Sequence, residues 1–203
     1  MPGRVVFLPG ALGAAEFWQP VGALLPEAWD KVYLRWPGLG AEDPDPAVRG
    51  LDDLVGLVEA ELDGPCDLVA QSMGGVVAAR VALRRPQAIR RLVLVATSAG
   101  IDVAALGAEN WRAGYRRGNP RAAAWIIRER PDLTAELPSI TAPTLLIWGD
   151  SDPISPVAVG EALASLLPDS RLVVIAGGTH ALAVERAPEV APAIAEHLSR
   201  DPD

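Results

Sequence analysis

The chain has 203 residues, of which 50% are hydrophobic and 22% are charged, and its formal net charge at pH 7 is −8. This length and composition predict one globular domain with a sizeable core. The negative charge argues against a nucleic-acid partner, because phosphate binding needs clustered Lys and Arg. A single cysteine, Cys66, allows no internal disulfide. No apolar run reaches the ~20 residues that a membrane span needs, so we expect a cytoplasmic protein without a membrane partner.

Six short apolar runs bounded by turn residues predict β-strands. In chain order they are Arg4–Leu8, Lys31–Arg35, Cys66–Ala70, Arg91–Ala96, Thr144–Trp148 and Arg171–Ile175. Helices are predicted at Glu16–Leu25, Leu51–Leu62, Met73–Arg84, Val157–Leu167 and Ala183–Leu198. Alternating strands and helices with nearly continuous apolar strands predict an α/β fold. Its sheet should be mostly parallel, with about six strands and helices on both faces.

One segment interrupts this alternation. From about residue 98 to residue 138 the sequence contains no strand pattern, only two or three stretches that favour helix. About 40 residues exceed an ordinary connection between two strands, so this segment should have its own structure. We therefore expect a core formed by residues 1–97 and 139–203, with a helical insert at 98–138.

Residues 66–79 predict a strand, a sharp turn and a helix, with Ser72 at the apex of the turn. Ala70 and Gly74 are small enough to flank so tight a turn. The N–H group of Met73, at the start of the helix, would then point at the atom that the serine attacks. The alternative is an ordinary capping serine at a helix start.

In an open parallel sheet, ligands bind beyond the carboxyl ends of the strands. The loop after the first strand is Pro9-Gly10-Ala11-Leu12-Gly13, in which the glycines allow backbone N–H groups to point inward. If it lies near Ser72, the N–H of Ala11 or its neighbour Leu12 can serve as a second oxyanion donor. A plain glycine-rich turn is the alternative.

Two further strands end in groups that could activate a serine. Asp150 and Asp152 follow the fifth strand and His180 follows the sixth, whereas His197 lies in the terminal helix. A serine hydroxyl needs an imidazole base, and the imidazole needs a carboxylate that fixes its tautomer. Ser72, His180 and one of the two aspartates supply these groups, although Asp150 could instead brace its turn.

These motifs resemble those of the α/β-hydrolase superfamily over nearly the full chain, including the order Ser, Asp, His. The resemblance implies a catalytic triad of Ser72, Asp152 and His180, since the acid of this family usually stands three residues after the glycine. It also implies that the insert is a helical cap. Ala70 stands where the family pattern has glycine, and Pro9 replaces a common histidine. The first strand resembles the third strand of the family sheet, so the first two strands are expected to be missing.

The resemblance further implies a carboxylic ester hydrolase that works through an acyl-enzyme, with no cofactor and no metal. The oxyanion would be held by the N–H groups of Ala11 and Met73. Biotin-pathway carrier-protein methyl esterases look similar. The alternative is a lyase resembling the menaquinone-pathway synthase, which uses the same triad without an acyl-enzyme. A binding module that has lost catalysis is a third class, and the intact triad argues against it.

The insert carries a local excess of positive charge. Between Trp111 and Arg130 there are six arginines and one acidic residue, Glu129. One hypothesis is an anionic partner, which would be a substrate carboxylate, a coenzyme A thioester or an acidic carrier protein. The alternative is a set of solvated helix faces. The residues predicted to bind the ester or thioester substrate are Leu12, Phe17, Trp36, Trp111, Trp125, Arg112 and Arg116.

Overall fold

The computed structural model describes residues 3–200 and contains a six-stranded sheet. Its strands are β1 (Arg4–Leu8), β2 (Asp30–Tyr33), β3 (Cys66–Gln71), β4 (Ile89–Val95), β5 (Thr144–Gly149) and β6 (Ser170–Ile175). Every pairing is parallel, and the order across the sheet is β2-β1-β3-β4-β5-β6. The predicted strands are confirmed within two residues at each end, and the sheet is parallel throughout.

The helices are α1 (Gln19–Gly22), α2 (Leu51–Glu59), α3 (Met73–Arg84), α4 (Arg112–Gly118), α5 (Val157–Leu166), α6 (Leu182–Glu185) and α7 (Ala187–Ser199). Two predicted helices are interrupted. A 3₁₀ turn at Ala15–Trp18 precedes α1, and α6 is separated from α7 at Arg186. Pro20 and Pro188 account for both breaks, because proline has no N–H group with which to continue a helix. Between residues 3 and 200, no helix is long and apolar enough to span a membrane.

The side chains of the sheet alternate between two hydrophobic layers. Val6 and Leu8 of β1 pack in the layer that includes residues of α2, α3 and α5. Val5 and Phe7 pack in the opposite layer, with residues of α1, α6 and α7. All four side chains are fully buried, and burial of such a side chain contributes about 1.5–3 kcal/mol. The predicted coverage of both faces is therefore confirmed.

The segment 98–138 is less helical than expected. It contains α4 and 3₁₀ turns at Ala104–Leu106, Ala124–Ile127 and Leu137–Ser139. Gly114, Gly118 and Pro120 disfavour a longer helix. The carboxylate of Glu129 accepts hydrogen bonds from the N–H of Leu51 at 3.2 and 3.3 Å, which joins the segment to the first turn of α2.

Candidate active site

The strand order creates a crevice beside β1 and β3. The chain leaves β1 for β2 on one side, and β3 then lies on the other side of β1. The loops that follow β1 and β3 therefore diverge, and such a switch point is where open α/β sheets bind ligands. The Pro9–Gly13 loop and Ser72 both lie at this point.

Ser72 occupies the strained turn between β3 and α3. Its φ of 53° and ψ of −122° are unusual for a residue with a side chain, and such strain persists only where the surroundings enforce it. A β-carbon on Gly74 would lie 2.4 Å from the carbonyl oxygen of Pro9, so no larger residue fits there. The hydroxyl of Thr97 donates to the carbonyl oxygen of Ser72 at 2.5 Å. Close packing therefore fixes the serine at the apex.

Three side chains from separate loops form a continuous hydrogen-bonded series. The Oγ of Ser72 lies 3.0 Å from Nε2 of His180, and Nδ1 of His180 lies 2.7 Å from Oδ2 of Asp152. The other carboxylate oxygen, Oδ1, accepts from the N–H groups of Ile154 at 2.8 Å and Ser155 at 3.1 Å. Because the Asp152 side chain is fully buried and both its oxygens are engaged, it can hold the imidazole in one orientation.

Asp150 has a different environment. It is exposed, and its Oδ1 accepts from the N–H of Gly177 at 2.7 Å and from the hydroxyl of Ser151 at 3.1 Å. Its carboxylate therefore joins the loop after β5 to the loop after β6. The end of β5 also approaches the loop after β6 closely, because a β-carbon at Gly149 would lie 2.1 Å from the carbonyl oxygen of Gly178. The bracing alternative thus describes the contacts of Asp150.

Gln71 is part of the site, although its sequence pattern did not indicate this. Gln71 is buried, and its Nε2 donates to the carbonyl oxygen of His180 at 3.1 Å. The position where a β-carbon of Gly10 would stand is 2.3 Å from its Oε1. Gln71 therefore lies between the loop of His180 and the loop after β1. The available signal was a polar residue at the end of an otherwise apolar strand, directly before Ser72.

Both predicted oxyanion donors belong to chain segments that adjoin the serine. The N–H of Met73 is in the first turn of α3, where N–H groups have no partner within the helix. Ala11 follows Gly10, whose β-carbon position is 3.2 Å from Cβ of Ser72. The N–H of Gly13 donates to the carbonyl oxygen of Gly10 at 3.0 Å, so the loop is a tight turn beside the serine.

A cavity of about 530 Å³ opens onto Ser72 and His180. Trp111 and Arg112, two of the predicted substrate-binding residues, lie in its wall. No sequence pattern indicated the aliphatic part of the wall, which includes Leu51, Val76, Ile101, Val103, Ile126 and Ile154. These residues were missed because they come from five separate stretches of the chain, and only folding brings them together.

The other predicted substrate-binding residues are placed elsewhere. Trp36 is fully buried, and its indole N–H donates to the carbonyl oxygen of Pro9 at 2.7 Å. Phe17 contacts Trp18 edge-on, at 5.3 Å between ring centroids, and Trp125 packs against the core. Arg116 donates to the carbonyl oxygen of Ala122 at 3.2 Å, and Leu12 is 60% exposed. Apolar character in the sequence did not distinguish a cavity wall from a packed interior.

Charged groups also line the cavity. The guanidinium of Arg112 lies 4.9 Å from the ring centroid of Trp111, and its Nε is buried without a hydrogen-bond partner in the described part of the chain. Burial, followed by the nearby charge of Arg130, lowers the pKa of Arg112. Four acidic residues are also in the lining: Asp102, Glu109, Glu129 and Asp132.

Sequence comparisons place this geometry in a known context. A profile of the alpha/beta hydrolase family matches residues 5–135. The pimeloyl-[acyl-carrier protein] methyl ester esterase of Neisseria meningitidis serogroup B is 30% identical, over 77% of this chain and 78% of that protein. The polyketide synthase ThaQ of Burkholderia thailandensis is also 30% identical, over 96% of this chain, which spans only 12% of the length of that synthase.

A comparison of structures gives the same assignment. A thermophilic esterase from Thermogutta terrifontis, solved with malate bound, superposes with a TM-score of 0.78. It is 27% identical in sequence, and the match covers 96% of this chain and 88% of the esterase. The resemblance that the four loop motifs indicated is therefore confirmed. The chain belongs to the alpha/beta hydrolase family.

Proposed function

We propose that this protein is a serine hydrolase that cleaves a carboxylic ester through Ser72, His180 and Asp152. The observation that carries the proposal is the hydrogen-bonded series from Ser72 through His180 to Asp152, with distances of 3.0 and 2.7 Å, at the mouth of the cavity. The ester hydrolase class is supported by the relatives, which include proteins named esterases and hydrolases.

The proposed reaction has two steps. In the first, Nε2 of His180 takes the hydroxyl proton of Ser72 while Oγ attacks the ester carbonyl carbon. The tetrahedral oxyanion is held by the N–H groups of Met73 and Ala11, each of which contributes on the order of 3 kcal/mol. His180 then donates its proton to the departing alkoxide, and an alcohol leaves an acyl-enzyme. In the second step His180 takes a proton from water, the hydroxide attacks the acyl carbon, and the proton returns to Ser72 as the acid leaves.

The test combines a covalent probe with turnover. Wild-type protein should be labelled by a fluorophosphonate and should hydrolyse p-nitrophenyl esters of graded chain length. Ser72→Ala should lose both, because it removes the nucleophile. Ser98→Ala is the matched control, since Ser98 also lines the cavity and should retain both.

The outcomes separate the candidate functions. Labelling without turnover of any ester would favour the lyase alternative over the esterase. Absence of labelling in the wild type would contradict an active nucleophile at Ser72. If the Ser98→Ala and Ser72→Ala proteins lost labelling and turnover equally, that result would also contradict a nucleophile at Ser72.

We further propose that residues 98–138 form a cap that selects an ester with a negatively charged group. Fifteen residues of this segment lie in the cavity wall, and Trp111, Arg112, Ile126, Glu129 and Arg130 are among them. Arg112 is half-buried, the positive charge of Arg130 contributes to lowering its pKa, and it forms no salt bridge with another described residue. Of the four acids in the wall, Glu129 caps α2, and Asp102 and Asp132 each accept from a backbone N–H at 3.0 Å. The fourth, Glu109, is exposed. A substrate carboxylate, a coenzyme A thioester or an acidic carrier protein would supply an anionic partner for the guanidinium of Arg112.

Arg112→Gln should therefore weaken the binding of anionic esters selectively. The KM for an ester whose acyl chain ends in a free carboxylate should rise by about tenfold, the equivalent of one charge-assisted hydrogen bond. The KM for a neutral ester of the same length should not change. Arg117→Gln, at an exposed position of α4, is the control. Equal changes for both esters would contradict an anion site at Arg112.

A further inference from the structure

The end of β1 and the loop after it are held by side chains that donate to their carbonyl oxygens. Three aromatic residues from different parts of the chain do so: Trp18 Nε1 to Leu8 at 2.9 Å, Trp36 Nε1 to Pro9 at 2.7 Å and the hydroxyl of Tyr115 to Ala11 at 2.7 Å. The two tryptophans are fully buried, whereas Tyr115 is half-buried and belongs to α4 of the insert. Only Tyr115 therefore reaches the loop from the segment that also forms the cavity wall.

The hydroxyl of Tyr115 has a second partner. It accepts a hydrogen bond from the N–H of Gly40 at 3.1 Å while it donates to Ala11. Its ring meets that of Trp111 edge-on, with centroids 5.5 Å apart, and Trp111 lies in the cavity wall. A chain of direct contacts thus runs from the cavity through Trp111 and Tyr115 to the backbone of Ala11.

The hydrogen bond from Tyr115 constrains one particular peptide group. Gly10 and Gly13 close a turn whose central peptide joins Ala11 to Leu12. The central peptide of such a turn can rotate by about 180°, which is how one common turn type becomes another. In a trans peptide the C=O and N–H groups point in opposite directions, so rotation would exchange them. Tyr115 holds the carbonyl of Ala11 toward the insert and thereby opposes this rotation.

We propose that Tyr115 is a positioning residue for the loop after β1 (Pro9–Gly13), hereafter the oxyanion loop. It keeps this loop in the conformation that can bind the oxyanion. The inference rests on the proposed function, in which the N–H of Ala11 binds the oxyanion. If the central peptide rotated, a carbonyl dipole would replace an N–H dipole next to that donor, and the electrostatic stabilisation of the oxyanion would weaken. Because Trp111 contacts both Tyr115 and the cavity, the insert can influence catalysis without touching the reacting atoms.

Tyr115→Phe tests the inference, because it removes one oxygen atom and retains the ring. We expect kcat to fall by about tenfold, with KM changed by less than about twofold. This loss of kcat is larger than that expected for a typical neutral hydrogen bond and smaller than that expected for an oxyanion donor. A trifluoromethyl ketone that adds to Ser72 should bind about tenfold more weakly, since its adduct carries the oxyanion. A non-covalent product carboxylate should bind as it does to the wild type.

Tyr33→Phe is the matched control, since Tyr33 is the other of the two tyrosines and stacks on Phe7 with centroids 4.9 Å apart. It should leave kcat and both inhibitors unchanged. If Tyr115→Phe retains wild-type kcat and ketone binding, the inference is wrong while the proposed function stands. If the ketone and the product weaken equally, Tyr115 has only a structural role. If wild-type protein neither turns over esters nor is labelled, both are overturned.

A second measurement covers the case in which Tyr115→Phe does not fold. In the Tyr33→Phe background Tyr115 is the remaining tyrosine, so 3-fluorotyrosine places a single fluorine label there. Its ¹⁹F signal should shift when the ketone adduct forms on Ser72. An unchanged signal would contradict coupling between the hydroxyl and the oxyanion loop.

Discussion

Asp150 and Asp152 stand two residues apart in one loop, yet their carboxylates have different surroundings. Asp152 is buried and lies 2.7 Å from Nδ1 of His180. Asp150 is exposed and accepts from the N–H of Gly177 at 2.7 Å. In the sequence both aspartates follow a strand, and only the surroundings created by folding distinguish them.

Asparagine variants should distinguish the proposed triad acid, Asp152, from Asp150. Asp152→Asn should lower kcat by about 10³–10⁴-fold, because an amide cannot hold the imidazole in the tautomer that accepts the Ser72 proton. Asp150→Asn should retain activity within about threefold, since the Oδ1 of asparagine can still accept from the N–H of Gly177 and the position is exposed. Steady-state kinetics on one p-nitrophenyl ester measures both. A larger loss in the Asp150→Asn protein would reverse the assignment.

At the scale of elements, the start of α3 lies too close to the loop after β1 for a side chain at Gly74. A β-carbon there would lie 2.4 Å from the Pro9 carbonyl oxygen and 2.8 Å from that of Leu8. In α2, by contrast, nothing lies within 4 Å of the same position at Gly56. Two helical glycines therefore differ in what surrounds them, although each is disfavoured in an isolated helix.

Alanine at these glycines should have opposite effects. Gly56→Ala should raise the free energy of unfolding by about 0.5–1 kcal/mol, because alanine has the higher helix propensity and restricts the unfolded chain. Gly74→Ala should destabilise by about 1–3 kcal/mol through overpacking, and should also lower kcat by displacing the turn of Ser72. Urea unfolding measures both. A stabilised Gly74→Ala protein with full activity would show that the turn can relax.

At the scale of the whole molecule, the end of the sheet opposite the candidate site contains buried ionisable groups. Asp67, near the start of β3, bonds the guanidinium of Arg90, which also donates to the Leu198 carbonyl at 2.8 Å. Burial raises the pKa of Asp67 from 3.8 to about 6, against the opposing effect of Arg90. Burial also lowers the pKa of His197, in α7, from 6.5 to about 4.

These two groups should oppose each other in the pH dependence of stability. The folded state retains the Asp67 proton up to about pH 6. The stability that this proton contributes is therefore present below pH 3.8 and is lost as the pH rises through 6. Folded His197 stays neutral, so its contribution is present above pH 6.5 and is lost as the pH falls toward 4. The two effects largely cancel between pH 4.5 and 6.5.

Single variants should reveal each effect. Relative to wild type, Asp67→Asn should make the free energy of unfolding rise more steeply from pH 4.5 to 6.5, because the opposing group is gone. His197→Gln should do the reverse, and each change should amount to about 2 kcal/mol across this range. Urea unfolding at the two pH values measures them. Parallel pH profiles in all three proteins would contradict the buried-titration argument.

The sequence by itself determined the parallel sheet and the positions of the chemical groups along the chain. Apolar runs such as Cys66–Gln71 are local signals, and the parallel-sheet rule brings their carboxyl ends to one edge. Ser72, the two aspartates and His180 could therefore be predicted to lie near one another. Helix breaks at Pro20 and Pro188 were visible in principle, because proline removes an N–H group wherever it stands.

Only the tertiary structure decided which groups touch. Trp36 and Trp111 are equally apolar in the sequence, yet the first is buried against Pro9 and the second lines the cavity. The contact between Tyr115 and Ala11 joins residues 104 positions apart. The physical reason is that periodicity and turn chemistry act over a few residues, whereas burial and side-chain hydrogen bonds depend on chain segments that meet only after folding.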